Sequence, residues 1–339
     1  MSLLWCGGED ISFQNGGLPT VDLSYYRVGY ARCDLQCPTS GNAVKGNQFP
    51  GGAVTTAWMS WRGENPAGSL NGSTPLGGFG QYSSTNSLVV GTNSVTPNKA
   101  TLYKYNGSTL TALASETGTS LAQSTLLRFD MQVVSYGASA SVNVYVGGSL
   151  IISFTGDVTV SGMTAMDCCV FGPATSGSGG RYYFSEVMVA DEDLRAWPGL
   201  VTLAPNATGA TASWTGTWST VNQTTLSDAN PLYTNTAALD EMLKVTSLPS
   251  GTFVVKGVQA AARMAVSATG AVPTKVKLGW LNASGATGAT GSGFGSGSTK
   301  SLTGAYTTYD QLDTLNPVTG VAFTQAEVSG IQIDLESST

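Results

Sequence analysis

The sequence predicts an all-β protein made of antiparallel sandwiches. Leu127, Phe129, Met131 and Val133 alternate with polar residues, which is the period of two of a strand with one buried face. Gly147-Gly148 then predicts a tight hairpin turn, because residues without Cβ adopt positive φ readily. No segment of about 15 residues shows a helical period. Short strands separated by turn residues at about ten-residue spacing are typical of a sandwich.

Further strands follow from the same pattern in the first half of the chain. Asn106-Gly107 marks a second hairpin turn. The predicted strands before the central set are Tyr25–Cys33, Val54–Arg62, Leu76–Tyr82, Ser87–Gly91, Ala100–Tyr105 and Leu110–Ala114, and Tyr182–Ala190 closes the set.

Near Trp197-Pro198-Gly199 an acidic loop ends in a Pro-Gly pair, and strand-like alternation restarts after it. This change predicts a domain boundary, with domains 1–197 and 198–339. Residues 282–299 form a Gly/Ser-rich tract that we expect to be an exposed loop. Thr324 and Glu327 have the spacing of a helical capping box. The strands predicted in the second domain are Leu200–Leu203, Thr211–Trp218, Leu243–Val245, Phe253–Val258, Ala260–Ser267, Val276–Leu281, Tyr306–Leu312 and Ile331–Leu335.

The composition excludes several classes of function. Charged residues make up 11% of the chain, against roughly 25% in an ordinary soluble protein. The net charge of −6 argues against a nucleic-acid partner, because clustered Lys and Arg are needed to bind phosphates. No apolar run approaches the roughly 20 residues of a membrane span. The start has no signal-peptide pattern, so we expect the chain not to pass through the secretory route.

The five cysteines are expected to be reduced and mostly buried, since an odd number leaves at least one unpaired. Cys6, Cys33 and Cys37 could suggest zinc. The chain has no histidine and no second pair with metal-ligand spacing, so this reading is disfavoured and no cofactor is predicted.

Catalysis is not expected. Without histidine, the usual general base and triad partner are missing. Glu186, Asp191, Glu192 and Asp193 could form a glycosidase carboxylate set. Asp191, Glu192 and Asp193 follow the predicted strand Tyr182–Ala190, however, so a solvated acidic loop is the simpler interpretation.

Several segments resemble a group of tailed-bacteriophage virion proteins. The segments are Met1–Asp10, Phe184–Asp193 running into Leu203–Ala207, Trp214–Gly216, Leu248–Gly251 and Asn316–Gly320. The resemblance implies a concanavalin/laminin-G-like jelly roll in the first domain and a smaller β-sandwich in the second. It also implies a structural role as a fibre, spike or tail-associated subunit that is assembled in the host cytoplasm.

Such a role implies partners: other copies of the chain, for example in a trimer, and other virion proteins. Host-surface glycan is a further partner in this interpretation, whereas nucleic acid and membrane insertion are not expected. The alternative functions are a carbohydrate-binding module that recognises a receptor and, less favoured, a polysaccharide-degrading enzyme.

Candidate ligand residues follow from these hypotheses. Concanavalin-like domains often bind calcium through loop oxygens, for which Asp157, Asp167 and Asp130 are weak candidates that suit a turn or strand equally well. Aromatic side chains could stack on sugar rings if they are exposed, although half-buried sheets more often place them in the core. The glycan-contact candidates are Trp58, Trp61, Tyr25, Tyr26 and Tyr82.

Overall fold

The chain divides into two compact units, Met1–Val201 and Thr202–Thr339, four residues beyond the predicted boundary. The computed structural model describes residues 3–7, 12–13, 15–16, 20–22, 31–37, 43–64, 73–172, 182–197, 199–223, 228–229, 231–267, 273–281, 299–317 and 319–339.

The first unit is a sandwich of two antiparallel sheets. Its strands are β1 (Leu3–Gly7), β2 (Asn15–Gly16), β3 (Thr20–Asp22), β4 (Asp34–Gln36), β5 (Val44–Lys45), β6 (Ala57–Glu64), β7 (Pro75–Gly80), β8 (Asn86–Thr92), β9 (Ala100–Asn106), β10 (Leu110–Ser115), β11 (Leu127–Val134), β12 (Ala140–Val146), β13 (Ser149–Gly156), β14 (Cys168–Phe171) and β15 (Tyr183–Ala190). The eight-stranded sheet has the order β13-β12-β11-β6-β15-β4-β3, with β1 also paired to β15. The seven-stranded sheet has the order β10-β9-β8-β7-β14-β5-β2.

Apolar residues at alternate positions form the core between these sheets, as the sequence pattern predicts. Met59 and Met131 are cross-strand partners on β6 and β11, and both are fully buried. Aromatic rings fill the centre: Trp61 stacks on Phe129 with ring centres 5.0 Å apart, and Phe171 stacks on Phe184 at 4.0 Å. The polar residues that alternate with these apolar residues along the strands face outward. The predicted all-β, antiparallel sandwich is therefore confirmed.

The two hairpin turns are also confirmed. Gly147 and Gly148, with φ of 57° and 83°, connect β12 to β13, and Gly107, with φ of 90°, lies between β9 and β10. The predicted strand Tyr25–Cys33 lies mostly outside the described residues. Its described end, 31–33, is not part of a named strand, and β4 begins at Asp34.

The second unit is a smaller β-sandwich. Its elements are β16 (Pro205–Ala212), α1 (Trp218–Val221), β17 (Asp240–Val245), β18 (Val258–Met264), β19 (Lys275–Leu281), β20 (Thr299–Ser301), β21 (Thr307–Asp313), α2 (Gln325–Ser329) and β22 (Gln332–Ser338). A five-stranded sheet, β16-β17-β22-β19-β20, packs against a two-stranded antiparallel sheet of β18 and β21. Leu278, Trp280 and Leu335 form the core with Ala260 of β18.

Some predictions for the second unit need correction. The predicted strands Leu200–Leu203 and Phe253–Val258 are wrong, since residues 200–203 and 253–257 are not in strands and Val258 begins β18. The predicted strand Thr211–Trp218 is a strand only to Ala212, where β16 ends, and Trp218 begins α1. Short apolar runs do not by themselves distinguish strands from packed loops. Residues 282–298 of the Gly/Ser-rich tract lie outside the described residues, and Thr299 begins β20. The capping box is confirmed: the Thr324 side chain accepts from the Glu327 backbone, and the Glu327 side chain accepts from the Thr324 backbone.

The five cysteines are unbridged and buried, as predicted. Burial raises the pKa of the Cys37, Cys168 and Cys169 thiols. In the described part of the chain, neither helix is long or apolar enough to cross a membrane.

Candidate functional site

The outer face of the eight-stranded sheet carries an aromatic pair, a row of polar side chains and a group of ion pairs. Beyond β15 the chain turns back across this face, and we name residues 191–197 the covering segment. Its Leu194 is fully buried. The guanidinium of Arg128, on β11, donates to the backbone carbonyls of Leu194 and Trp197. Arg128 and Leu194 therefore help to hold the covering segment on the sheet.

An aromatic pair lies next to the covering segment. Trp58 of β6 and Tyr145 of β12 stack with ring centres 5.8 Å apart and planes at 24°. The guanidinium carbon of Arg195 lies 5.2 Å from the centre of the Trp58 ring and 4.3 Å from that of Tyr145. Arg195 also binds the Asp193 carboxylate, with Nε–Oδ1 at 2.9 Å. The rings are only 6% and 8% exposed, and the guanidinium lies over both of them.

The residues that lie in line with Trp58 on the next three strands, β11, β12 and β13, are polar. Trp58 is opposite Gln132, Gln132 is opposite Asn143, and Asn143 is opposite Ser153. The Asn143 amide donates to the Gln132 side-chain oxygen at 3.0 Å. The amides are half-buried and Ser153 is exposed. We name Trp58, Gln132, Asn143 and Ser153 the polar row; it presents amide and hydroxyl groups beside an aromatic ring.

A narrow crevice lies on the same face under the covering segment. Its lining includes Ser60, Arg62, Arg128, Glu186, Met188 and Gly199. Arg62 and Arg128 are directly opposite each other, and like charges at this spacing destabilise a sheet. Two carboxylates offset this repulsion: Glu186 lies 3.3 Å from Arg62, and Asp130 lies 2.9 Å from Arg128.

Glu186 reaches this crevice from a bulged and strained part of β15. Its φ is +51°, and the register of β15 against β6 shifts between Ser185 and Met188, which is a β-bulge. A non-glycine residue in the left-handed region costs of order 1 kcal/mol or more. Within the described residues, two buried atoms near the crevice have no hydrogen-bond partner, Asp130 Oδ2 and Ser185 Oγ. Strain and unsatisfied polar atoms are typical of functional sites.

Of the three predicted glycan-contact residues that the structure describes, Trp58 alone lies on this face. Trp61 lies in the core, fully buried, and its indole N–H donates to the Tyr182 hydroxyl at 2.8 Å, so it lacks the exposure on which its prediction as a sugar contact depends. Tyr82 follows β7 of the other sheet, where its backbone N–H donates to Asp167. Tyr25 and Tyr26 lie outside the described residues.

Sequence reasoning missed Tyr145, Gln132, Asn143 and Arg195. Strand alternation carries a signal for the first three, because Gln132 alternates with the core residues Met131 and Val133, and Asn143 and Tyr145 alternate with Val142, Val144 and Val146. No local signal places Arg195, since its contact with Trp58 spans more than a hundred residues of sequence.

The calcium candidates all have protein partners. Asp130 pairs with Arg128. The exposed Asp157 accepts from the Thr159 hydroxyl and backbone N–H and lies 3.5 Å from Lys104; these contacts lower the pKa of its carboxyl. Asp167 accepts from the Tyr82 backbone N–H at 2.6 Å and from the Gln48 amide at 3.1 Å. In the ranges that the structure describes, no three His, Cys, Asp or Glu side chains are grouped to hold a metal ion.

A lysine occupies the turn beside Asp167. The Lys45 ammonium donates to the backbone carbonyls of Gln81 at 3.3 Å, Tyr82 at 3.0 Å and Ser84. Desolvation lowers the pKa of Lys45, while the charges of Cys168 and Asp167 act in the opposite direction. A single ammonium with three carbonyl acceptors is a saturated donor, and it fixes the turn that Asp167 also binds.

The fold and this outer face define the class: a two-domain antiparallel β-sandwich protein with an aromatic and polar surface on one sheet. No family model and no curated protein matches the sequence.

Solved structures show a distant similarity. An endo-β-1,4-glucuronan lyase from the fungus Trichoderma reesei is 10% identical, with a TM-score of 0.41, over 56% of this chain and 96% of that one. The carbohydrate-binding module CBM66 from Bacillus subtilis is 11% identical, with a TM-score of 0.37, over 52% of this chain and 93% of the module. The cellulose-induced protein Cip1 is 13% identical, with a TM-score of 0.39, over 55% and 91%. At this level the similarity carries no argument about function.

Proposed function

We propose that the first unit is a non-enzymatic glycan-binding domain whose ligand lies on the outer face of the eight-stranded sheet. The observation that carries the proposal is the polar row, in which an aromatic ring, two amides and a hydroxyl lie side by side across four strands. A sugar ring has apolar C–H faces and a rim of hydroxyls, so it needs an aromatic surface and neighbouring hydrogen-bonding groups.

The row fits this need because the side-chain amides of Gln132 and Asn143 have donor and acceptor groups beyond those used in the bond between them. Each amide offers two N–H donors and one carbonyl acceptor. The bond from Asn143 to Gln132 uses one donor and one acceptor and holds both side chains in position. Ser153 is exposed at the end of the row and adds a hydroxyl that can donate and accept.

Access to the aromatic surface depends on Arg195. The guanidinium covers the rings, but the side chain is solvent-exposed and anchored to Asp193, which is two residues away on the same segment. Exposed ion pairs of this kind contribute only about 0–1 kcal/mol. A sugar can therefore displace the guanidinium or pack against its edge at small cost.

A glycan array, followed by calorimetric titration of the best ligand, tests the proposal. Asn143→Ala removes hydrogen bonds worth about 1 kcal/mol, so affinity should fall about fivefold. The matched control is Asn98→Ala. Asn98 accepts from the Gln123 amide at 3.2 Å elsewhere in the first unit, and affinity should not change. Absence of any ligand on the array, or equal effects of the two variants, would contradict the proposal.

We further propose that the domain acts in a bacteriophage virion, as an oligomeric fibre, spike or tail-associated subunit that contacts host-surface glycan. Two of the segments that resemble virion proteins are neighbours in the sheet: β1 pairs with β15 from Leu3 opposite Ala190 to Gly7 opposite Val187. Their resemblance therefore concerns one local structure, which supports a common fold. Mass photometry of the full chain should show oligomers at micromolar concentration; a monomer alone would contradict the proposal.

A further inference from the structure

The charges around the polar row constrain the class of glycan, and this inference rests on the proposed function. Strands β6, β11, β12, β13 and β15 and the covering segment carry three arginines and no lysine. The arginines are Arg62, Arg128 and Arg195. The same elements carry six acidic residues, which are Glu64, Asp130, Glu186, Asp191, Glu192 and Asp193.

Each arginine on this face already has a carboxylate partner. Arg62 pairs with Glu186, Arg128 with Asp130, and Arg195 with Asp193. Asp130 and Glu186 are fully or almost fully buried. An acidic sugar that drew Arg62 or Arg128 from its partner would leave a buried carboxylate uncompensated, which is strongly unfavourable. The charge of Arg195, whose partner Asp193 is exposed, is already offset by that carboxylate.

The remaining carboxylates strengthen this preference. Asp191 and Glu192 have contacts within the protein, and their carboxylates add to the negative charge of the covering segment, on which Asp191 is exposed. Glu64 is buried on the outer side of β6. The field at this face therefore repels carboxylated and sulfated glycans and leaves uncharged ones unaffected.

We propose that the ligand of the polar row is an uncharged glycan, a chain of neutral hexoses or N-acetylhexosamines. Recognition then uses ring stacking and hydroxyl hydrogen bonds. Such binding depends only weakly on ionic strength, because salt screens interactions between charges.

The test compares one neutral oligosaccharide, the best ligand of the array, with the same oligosaccharide oxidised to the carboxylate at C6. Calorimetry at low salt, about 20 mM, should show the oxidised form binding at least about tenfold more weakly. The affinity of the neutral form should change less than about twofold when salt is raised to about 200 mM.

A charge variant separates repulsion from loss of the C6 hydroxyl. Asp191→Asn combined with Glu192→Gln removes two negative charges from the covering segment and should recover part of the affinity for the oxidised form, with no change for the neutral form. Preferential binding of acidic glycans, with affinity that falls as salt rises, would overturn this inference and leave the proposed function standing. Binding of no glycan at all would remove both.

Discussion

The guanidinium of Arg195 lies 4.3 Å from the centre of the Tyr145 ring, so the cation covers the aromatic surface that a sugar would use. The contact depends on the covering segment, which Arg128 holds on the sheet through two backbone carbonyls. Movement of the exposed Arg195 side chain is therefore expected to uncover part of the aromatic pair.

Arg195→Ala should uncover the two rings. Because cation–π contacts at exposed sites contribute about 0.5–1 kcal/mol, the loss of stability should be small. Acrylamide quenching of tryptophan fluorescence should increase, and the increase should disappear in the Arg195→Ala/Trp58→Phe double variant. Arg263→Ala is the matched control, since Arg263 lies 5.7 Å from the Tyr306 ring in the second unit. Unchanged quenching in Arg195→Ala would contradict the geometry.

Lys45→Met should destabilise the first unit. Three backbone carbonyls lose their donor, and the buried lysine is only 7% exposed, so the expected loss of unfolding free energy is on the order of 3 kcal/mol. Urea unfolding measures it.

Lys104→Met is the control for this prediction, because its ion pair with the exposed Asp157 is a surface contact worth about 0–1 kcal/mol. Equal losses for the two variants would show that the Lys45 contacts contribute little.

The second unit should lose stability as pH rises from about 4 to 7. Burial raises the pKa of Asp334 to about 7, and the charges of Asp240 on β17 and Glu336 on β22 add to this, while Lys277 on β19 opposes it. An unfolded aspartate titrates near pH 3.9, so the folded state binds the proton more tightly. The contribution is complete below about pH 4 and is lost as pH rises through 7, by roughly 4 kcal/mol at most.

Urea unfolding between pH 4.5 and 8 checks this dependence. Asp334→Asn should flatten the profile, whereas Asp228→Asn, which removes an exposed partner of Arg263, should leave it unchanged. A profile that keeps its slope in Asp334→Asn would assign the pH dependence to other groups.

The five thiols should resist modification in the folded protein. All five cysteines are unbridged and buried, and burial holds the pKa of Cys37, Cys168 and Cys169 high, which disfavours the reactive thiolate. Ellman's reagent should therefore react with none at neutral pH and with five after denaturation. Rapid reaction of the native protein would indicate that the core opens readily.

The sequence predicts the fold well because strand alternation is a local signal. The alternation in β11 and β12 predicts both the core and the outer residues, and the glycine turns define the hairpin. Trp58 and Trp61 show the limit of this reasoning. Their spacing of three places them on opposite faces, but only the pairing of Trp61 with Phe129 shows which one is in the core.

The site is less predictable because its contacts join distant parts of the chain. Arg195 reaches Trp58, and Lys45 reaches the carbonyls of residues 81–84, with no periodicity to indicate either contact. The strain at Glu186 likewise arises from a bulge in the pairing of β15 with β6, which is a property of two strands and not of one.

The most direct test of glycan recognition at the polar row is an NMR titration of the full chain with the best neutral ligand of the array. The largest shifts should fall on the side-chain amides of Gln132 and Asn143 and on the Trp58 indole, while the Asn98 and Gln123 amides should stay unchanged. Shifts confined to other surfaces, with these three signals unmoved, would contradict it.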